Sequence, residues 1–164
     1  MDDKQLFGAV VNCVADDISV TAVSVRDIVN AFISECRDIL GSGVVLRIGD
    51  LVTIYPSVQT SQYVPTLGFL ANKVAKVTGK TYYTVYAVIE GYLNTLKKEI
   101  LSGRSADIRK IVSFHSISLG NGKFKVNCAL SASLRDDLRE GALPKTARVS
   151  FNKSLRSAIK EVVL

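Results

Sequence analysis

The sequence predicts an α+β protein in which two similar units follow one another in a single chain. Two pairs of segments carry apolar residues at three- and four-residue spacing, which is typical of amphipathic helices. Each pair is followed by a glycine and then by short β-rich segments. The whole pattern recurs at an offset of 60 residues, which is the separation of Gly43 and Gly103. We therefore expect units at 1–58 and 66–164, joined by a linker at 59–65 and packed as one globular domain.

The first unit is predicted to contain two helices and two strands. The helices are expected at 4–14 and 22–40, separated by the break ADDISVT, in which Asp17, Ser19 and Thr21 are the candidate N-caps. The second helix carries a wide apolar face that must be buried, and Gly43 is expected to stop it. The strands that follow are VVLRIG and LVTIYPSV.

The second unit repeats this order and then continues further. Helices are expected at 66–77 and 82–101, with Thr81 or Thr84 as the N-cap of the second, and strands at ADIRKIVS and HSISL. The sequence GNG between alternating residues predicts a β-hairpin. A charged stretch, SLRDDLREGALPKT, is interpreted as part of an acidic arm with loop carboxylates. The strand ARVSF and a last helix at 153–163, capped by Asn152, complete the unit.

Composition restricts the class of protein. The 164 residues are 48% hydrophobic and 22% charged, which predicts a folded globule, and no apolar run reaches the roughly 18 residues of a membrane span. The acidic first residues predict no signal peptide. Three dispersed cysteines and one histidine predict neither a zinc site nor a disulfide framework, so a cytoplasmic location is expected.

Positive charge is concentrated in the second unit. The formal net charge is +6, yet residues 1–65 carry four basic against eight acidic residues, and residues 66–164 carry seventeen against seven. A surplus confined to one part of the chain indicates either a surface that binds a polyanion or a merely solvated basic face.

Catalysis is not predicted. His115 lies in an alternating stretch without a nucleophile motif beside it, and the adjacent pairs Asp16–Asp17 and Asp136–Asp137 point apart on a helix or strand. No phosphate-binding loop, dinucleotide-binding motif or nucleophile elbow is present in the sequence. We therefore expect no enzymatic activity.

Three segments carry a resemblance to a known family. FLANKVAKVTGKT, VYAVIEGYLNTLKKEILSGRSADI and ARVSFNKSLRSAIKEV resemble, in this order, parts of the bacterial histone-like HU/IHF family. They are similar to its first helix, to its long second helix with the entry to strand one, and to its closing strand with the basic last helix. Through the repeat, a truncated copy would cover about 6–58.

The resemblance implies an architectural, nucleoid-associated protein that binds double-stranded DNA without strong sequence preference. Members of the family are intertwined dimers with a helical body, a β-saddle and two arms. The first unit would supply the missing partner, giving an intramolecular pseudo-dimer with one arm and one last helix, or else two chains would form a homodimer. No cofactor is implied. Basic residues near the strands and on the last helix are the candidate DNA-binding side chains: Arg104, Arg109, Lys110, Lys123, Lys125, Arg148, Lys153, Arg156 and Lys160.

The sequence also departs from the family. The Arg-Asn-Pro tripeptide that the family carries at its arm tip, where proline wedges between base pairs, is missing from the sequence. Phe124, Leu138 and Leu143 are the apolar candidates for such a wedge. Because Asp136, Asp137 and Glu140 would repel phosphate, the alternative is a module of the same architecture that binds a protein instead of DNA.

Overall fold

The computed structural model describes residues 3–141 and 146–163, and the side chains of 5–141 and 146–162. The described part of the chain contains six helices and two antiparallel three-stranded sheets, which confirms the α+β class. The helices are α1 Asp3–Ile18, α2 Ala22–Gly41, α3 Leu67–Thr78, α4 Tyr82–Leu101, α5 Ala132–Glu140 and α6 Lys153–Val163. The strands are β1 Leu46–Ile48, β2 Val52–Pro56, β3 Ala106–Ile108, β4 Val112–Gly120, β5 Lys123–Leu130 and β6 Ala147–Phe151.

The first helix is longer than predicted. α1 continues into the expected break at 15–21 and ends at Ile18, before Ser19, whose φ of 57° turns the chain toward α2. Thr21 is the N-cap of α2, since its hydroxyl oxygen accepts the Ser24 N–H at 3.2 Å. At the start of α4, Thr81 has the extended backbone of an N-cap, but its hydroxyl donates to the Thr84 hydroxyl at 2.9 Å.

The 60-residue offset also appears in the ends of the long helices. The Ser42 N–H donates to the Asp38 carbonyl at 3.0 Å, and the Ser102 N–H donates to the Lys98 carbonyl at the same distance. Gly43 and Gly103 follow with φ of 80° and 79°, a left-handed conformation that favours glycine. α2 and α4, which differ in most of their side chains, therefore end with the same backbone geometry.

The last strand joins the sheet of the first unit. The sheet orders are β1-β2-β6 and β3-β4-β5, and Tyr55 of β2 pairs with Arg148 of β6. The pairing is extended by the Ser57 N–H, which donates to the Thr146 carbonyl at 2.8 Å. Residues from the end of the chain thus complete the sheet that begins at residue 46.

β5–α5 and β6–α6 occupy equivalent places in the two sheets. The Ser131 N–H, between β5 and α5, donates to the Ile111 carbonyl at 2.9 Å. The Asn152 N–H, between β6 and α6, donates to the Leu51 carbonyl at 2.9 Å. Leu51 and Ile111 are again 60 residues apart, so both sheets pass into their last helices in the same way.

Two predictions about the second unit, one of a strand and one of a loop, were wrong. ADIRKIVS is not one strand, because Lys110, with a φ of 63°, turns the chain between β3 and β4. SLRDDLRE is not a loop of an acidic arm but α5, capped by Ser131 and held by the buried side chains of Leu134 and Leu138. Two short helices, α5 and α6, are therefore found after strands in the described part of the chain, where one was expected.

Asn152 does not cap α6 with its side chain as predicted. Its amide donates to the Gly49 carbonyl at 3.0 Å, and its side-chain oxygen accepts from the Thr53 hydroxyl at 2.5 Å. These bonds attach the start of α6 to the sheet of β1, β2 and β6.

The helices of the two units share one core. α1 packs on α4, and α2 packs on α3, so each unit covers the apolar face of the other. Phe32 of α2 and Tyr92 of α4, another pair 60 residues apart, are both fully buried. The core is one continuous cluster of buried residues that reaches from α1 to α6.

Two cysteine thiols have pKa values above the ordinary range. Burial, followed by the charge of Glu35, raises the pKa of the Cys36 thiol, and burial raises that of Cys128.

In the part of the chain that the structure describes, no single helix is long and apolar enough to cross a membrane. Only α1 and α2 together reach that length, and they are bent by 116°.

Candidate nucleic-acid interface

Each sheet has one face against the helices and one face toward solvent. Along β2, Val52 and Ile54 are buried, and along β5, Phe124 and Val126 point to the same side as the buried Leu130. Strand alternation places the intervening residues on the opposite face. We call that face of both sheets, together with the hairpin tip and the first residue of α6, the outer surface. Its polar and charged members are Arg47, Tyr55, Asp107, Ser113, His115, Lys123, Lys125, Asn127, Arg148, Ser150 and Lys153, while Thr53 points to the same side but is only 8% exposed.

Three cations lie on the outer surface of the sheet β1-β2-β6, which we call the first sheet; the sheet β3-β4-β5 is the second. The Arg148 guanidinium carbon lies 4.2 Å from the centroid of the Tyr55 ring, which holds the side chain flat against the sheet. Arg47 and Lys153 line the same polar cleft of about 540 Å³ as Tyr55. No acidic residue is among the described residues that line this cleft. The cleft therefore presents positive charge and amide groups, which suits an anion.

The hairpin of β4 and β5 extends this surface. Gly120, Asn121 and Gly122 all have positive φ, as the GNG sequence predicts for the turn. Lys123 and Lys125 are exposed, and Lys125 pairs with Ile117 across the hairpin. The expectation that both lysines lie on one strand face is confirmed by the half-buried position of Phe124 between them.

An apolar groove lies between the hairpin and α6. It has a volume of about 580 Å³. Its apolar lining consists of Leu119, Phe124, Val126, Phe151 and Ile159, and its basic rim of Lys125, Arg156 and Lys160. Arg156 and Lys160 therefore face a groove beside the outer surface, on the inner side of the hairpin.

The remaining three candidates make contacts with residues outside the outer surface. Arg104 is paired with Glu99, with its Nε 2.5 Å from the carboxylate, and this contact raises the arginine pKa. Arg109 stacks on the Phe7 ring at 4.7 Å, and Lys110 lies beside it in a cleft between α2 and α5. Of the nine predicted residues, the structure thus places Lys123, Lys125, Arg148 and Lys153 on the outer surface, Arg156 and Lys160 at the neighbouring groove, and Arg104, Arg109 and Lys110 in other contacts.

Arg37 is a structurally important cation that sequence reasoning missed. Its guanidinium donates to the Lys110 carbonyl at 2.6 Å and to the Ser133 hydroxyl at 3.2 Å, and it forms an ion pair with Asp137. It therefore joins α2 to α5 and to the β3–β4 turn. The repeat contained a signal, because Lys97 lies 60 residues later and makes a 2.7 Å ion pair with Asp50 in the equivalent turn.

We expect Arg37→Ala to lower the free energy of unfolding by about 2 kcal/mol, because several charge-assisted hydrogen bonds of a largely buried guanidinium are lost. Lys97→Ala is the matched control. Its expected loss is below about 1 kcal/mol, because it breaks a single ion pair whose cation is more exposed than Arg37. Urea denaturation followed by circular dichroism measures both. Equal losses would contradict the distinct role assigned to Arg37.

The three wedge candidates have different surroundings. Leu138 is 4% exposed and packed in the core, so it is excluded as a wedge. Phe124 is half-buried, with its ring against Gly103, while Leu143 lies outside the described residues. Asp137, expected to repel phosphate from an arm, is instead paired with Arg37 on α5.

Comparison with known proteins adds no family assignment. No protein-family model matches the chain, and no curated protein is significantly similar to it in sequence.

Proposed function

We propose that this protein is an architectural DNA-binding protein of HU/IHF-like design, which binds the duplex backbone without strong sequence preference. The observation that carries the proposal is the set of exposed cations on the outer surface: Arg47, Lys123, Lys125, Arg148 and Lys153. Cations gathered on one side of a β-surface can neutralise several phosphates of the same duplex.

The HU-like part of the proposal is supported by the pairing of the two halves. Two three-stranded sheets lie next to each other at β5 and β6 above one shared helical core. The first sheet obtains its third strand, β6, from residues 147–151 of the same chain, and this pairing supports a pseudo-dimer formed within one chain. Within residues 3–141 and 146–163, only the second sheet has a long hairpin, since β2 ends at Pro56 and its partner β6 begins at Ala147.

Binding would be dominated by phosphate contacts. Lysine and arginine side chains displace condensed counterions from DNA, and this release supplies most non-specific affinity. The described hairpin tip carries the small residues Gly120, Asn121 and Gly122, with no apolar wedge among them. The proposal is therefore binding without intercalative kinking.

Salt titration of duplex binding tests the proposal. With five phosphate contacts, the logarithm of the association constant should fall with the logarithm of salt concentration at a slope of about −4 to −5. Fluorescence anisotropy with two unrelated 20-base-pair duplexes should give dissociation constants within about threefold of each other. Absence of binding at 50 mM salt, or a slope near zero, would contradict the proposal.

A second candidate function is protein docking, favoured by the apolar groove beside α6. Leu119 is 60% exposed at its edge, and Lys125, Arg156 and Lys160 form a basic rim suited to an acidic amphipathic segment. This function predicts weak retention on DNA and an interaction that changes with substitutions at Ile159. DNA affinity that is independent of Ile159 favours the first proposal.

A further inference from the structure

A second exposed surface of unusual composition lies on α3, on the residues before it and on the start of α4. We call it the aromatic patch. Its aromatic members are Tyr63, Phe69, Tyr82, Tyr83 and Tyr86, and its cations are Lys73, Lys76 and Lys80. None of these residues belongs to the outer surface. The patch thus calls for an explanation independent of the sheets.

The aromatic side chains form two groups in ring contact, one at α3 and one at the start of α4. The Tyr63 and Phe69 ring centroids are 6.0 Å apart, and the Tyr82 ring lies 5.5 Å from Tyr83 and 6.0 Å from Tyr86. The two groups meet at Gly68, where an added Cβ would lie 3.0 Å from the Tyr82 hydroxyl. This contact packs Tyr82 of α4 against the α3 backbone at the residue before Phe69.

The rings remain open to solvent. The Tyr83 side chain is 83% exposed and that of Tyr63 is 55% exposed, although large aromatic residues usually contribute to a core. The Tyr63–Phe69 and Tyr82–Tyr83 pairs both meet edge to face, at interplanar angles of 77° and 79°. Because such pairs do not stack face on face, ring faces stay available to a planar ligand.

Along the chain, the charges nearest to Phe69 and Tyr82 are positive, and Glu90, one helical turn after Tyr86 on α4, is the first carboxylate that follows. The sequence contains no Asp or Glu between Asp50 and Glu90, and the three lysines of this stretch are those of the patch. The Lys73 ammonium lies 5.2 Å from the Phe69 ring centroid. A ligand on the rings would therefore meet positive charge, with no carboxylate from this stretch of chain to repel an anion.

We propose that the aromatic patch binds single-stranded nucleic acid by stacking bases on its rings while its lysines neutralise the backbone. Open aromatic faces beside cations are the two components that proteins use to bind single strands without sequence preference. Duplex DNA does not fit this chemistry, because its bases are already stacked and their faces are hidden. The outer surface and the aromatic patch thus bind different forms of nucleic acid.

The test uses fluorescein-labelled dT20 with the full-length protein, read by anisotropy at 50 mM salt. Tyr82→Ala/Tyr83→Ala is expected to weaken binding at least about tenfold, whereas Tyr82→Phe/Tyr83→Phe, which keeps the rings, should stay within about threefold of wild type. The Lys123→Ala/Lys125→Ala/Arg148→Ala variant should bind dT20 as wild type does. This last variant separates the aromatic patch from the proposed duplex site.

Intrinsic fluorescence gives an independent signal of stacking. The protein has no tryptophan, and four of its six tyrosines lie in the patch, so unlabelled dT20 should quench much of the tyrosine emission. Labelled rU20 in place of dT20 distinguishes an RNA from a DNA ligand, and either is a single strand as proposed.

Four results would overturn the proposal: no binding of dT20, equal binding by the alanine and wild-type proteins, loss of binding only in the outer-surface variant, or self-association that the alanine pair abolishes. The last result, seen by sedimentation without nucleic acid, would assign the patch to contact between copies of this chain. Circular dichroism of each variant shows whether the fold is retained, and Tyr83→Ala alone, at a residue that is 83% exposed, tests the rings if the alanine pair does not fold.

Discussion

Phe32→Ala is expected to destabilise the entire chain by about 4 kcal/mol, in a single unfolding transition. Phe32 is fully buried on α2, and truncating such a ring typically costs about 3–5 kcal/mol through lost burial and a residual cavity. Because α2 packs on α3 and α1 packs on α4, neither unit keeps a covered apolar face when the other unfolds. The loss should therefore be felt in both units together.

The distribution of tyrosines makes this measurement specific. Five of the six tyrosines follow residue 60, so tyrosine fluorescence mainly reports the second unit, whereas far-UV circular dichroism reports both. In urea, the two signals should shift together in Phe32→Ala, and Tyr92→Ala should give a loss of similar size. Val23→Ala is the control, since Val23 is 67% exposed and its truncation should cost less than about 0.5 kcal/mol. A tyrosine transition that stays at its wild-type position would show that the units unfold independently.

The sequence predicted the helices of the two units well because their signals are local. Apolar spacing, Thr21 and the glycines at 43 and 103 are each read within a few residues, and the 60-residue offset supports one unit with the other. α5 was missed because its turns carry mainly charge, and only Leu134 and Leu138 mark the face that packs on α2. A helix with such a narrow apolar side resembles a loop in composition.

Strand pairing was beyond the sequence for a different reason. ARVSF was correctly predicted as a strand, but its partner, β2, lies about 95 residues earlier in the chain. Alternation within a strand shows which face is buried and does not indicate which other strand pairs with it. The same limit applies to the candidate site. Alternation within β5 was enough to predict the position of Lys123 and Lys125. The contact of Arg109 with the Phe7 ring of α1 could not be read from the sequence. The same holds for Arg47, which was not a candidate and lies in one cleft with Lys153.

The Lys123→Ala/Lys125→Ala/Arg148→Ala variant is expected to lose duplex DNA affinity on the order of 100-fold at 50 mM salt, and its salt slope should be shallower by about 3. Each of the three side chains is exposed on the outer surface, and none has a carboxylate partner among the ion pairs of the described residues. Their removal should therefore cost phosphate contacts without breaking the fold.

A second triple variant controls for net charge. Lys73→Ala/Lys76→Ala/Lys80→Ala removes the same three charges from α3 and the turn after it, so both proteins have a formal charge three lower than the wild-type +6. If long-range attraction alone held the duplex, the two variants would weaken binding equally. If the outer surface contacts the phosphates, only the first variant shows the shallower salt dependence of duplex binding. For dT20 the expectation is the opposite, since the second variant should bind more weakly than the first. Equal losses in both assays would leave a protein attracted to nucleic acid by its overall charge, with neither surface acting as a site.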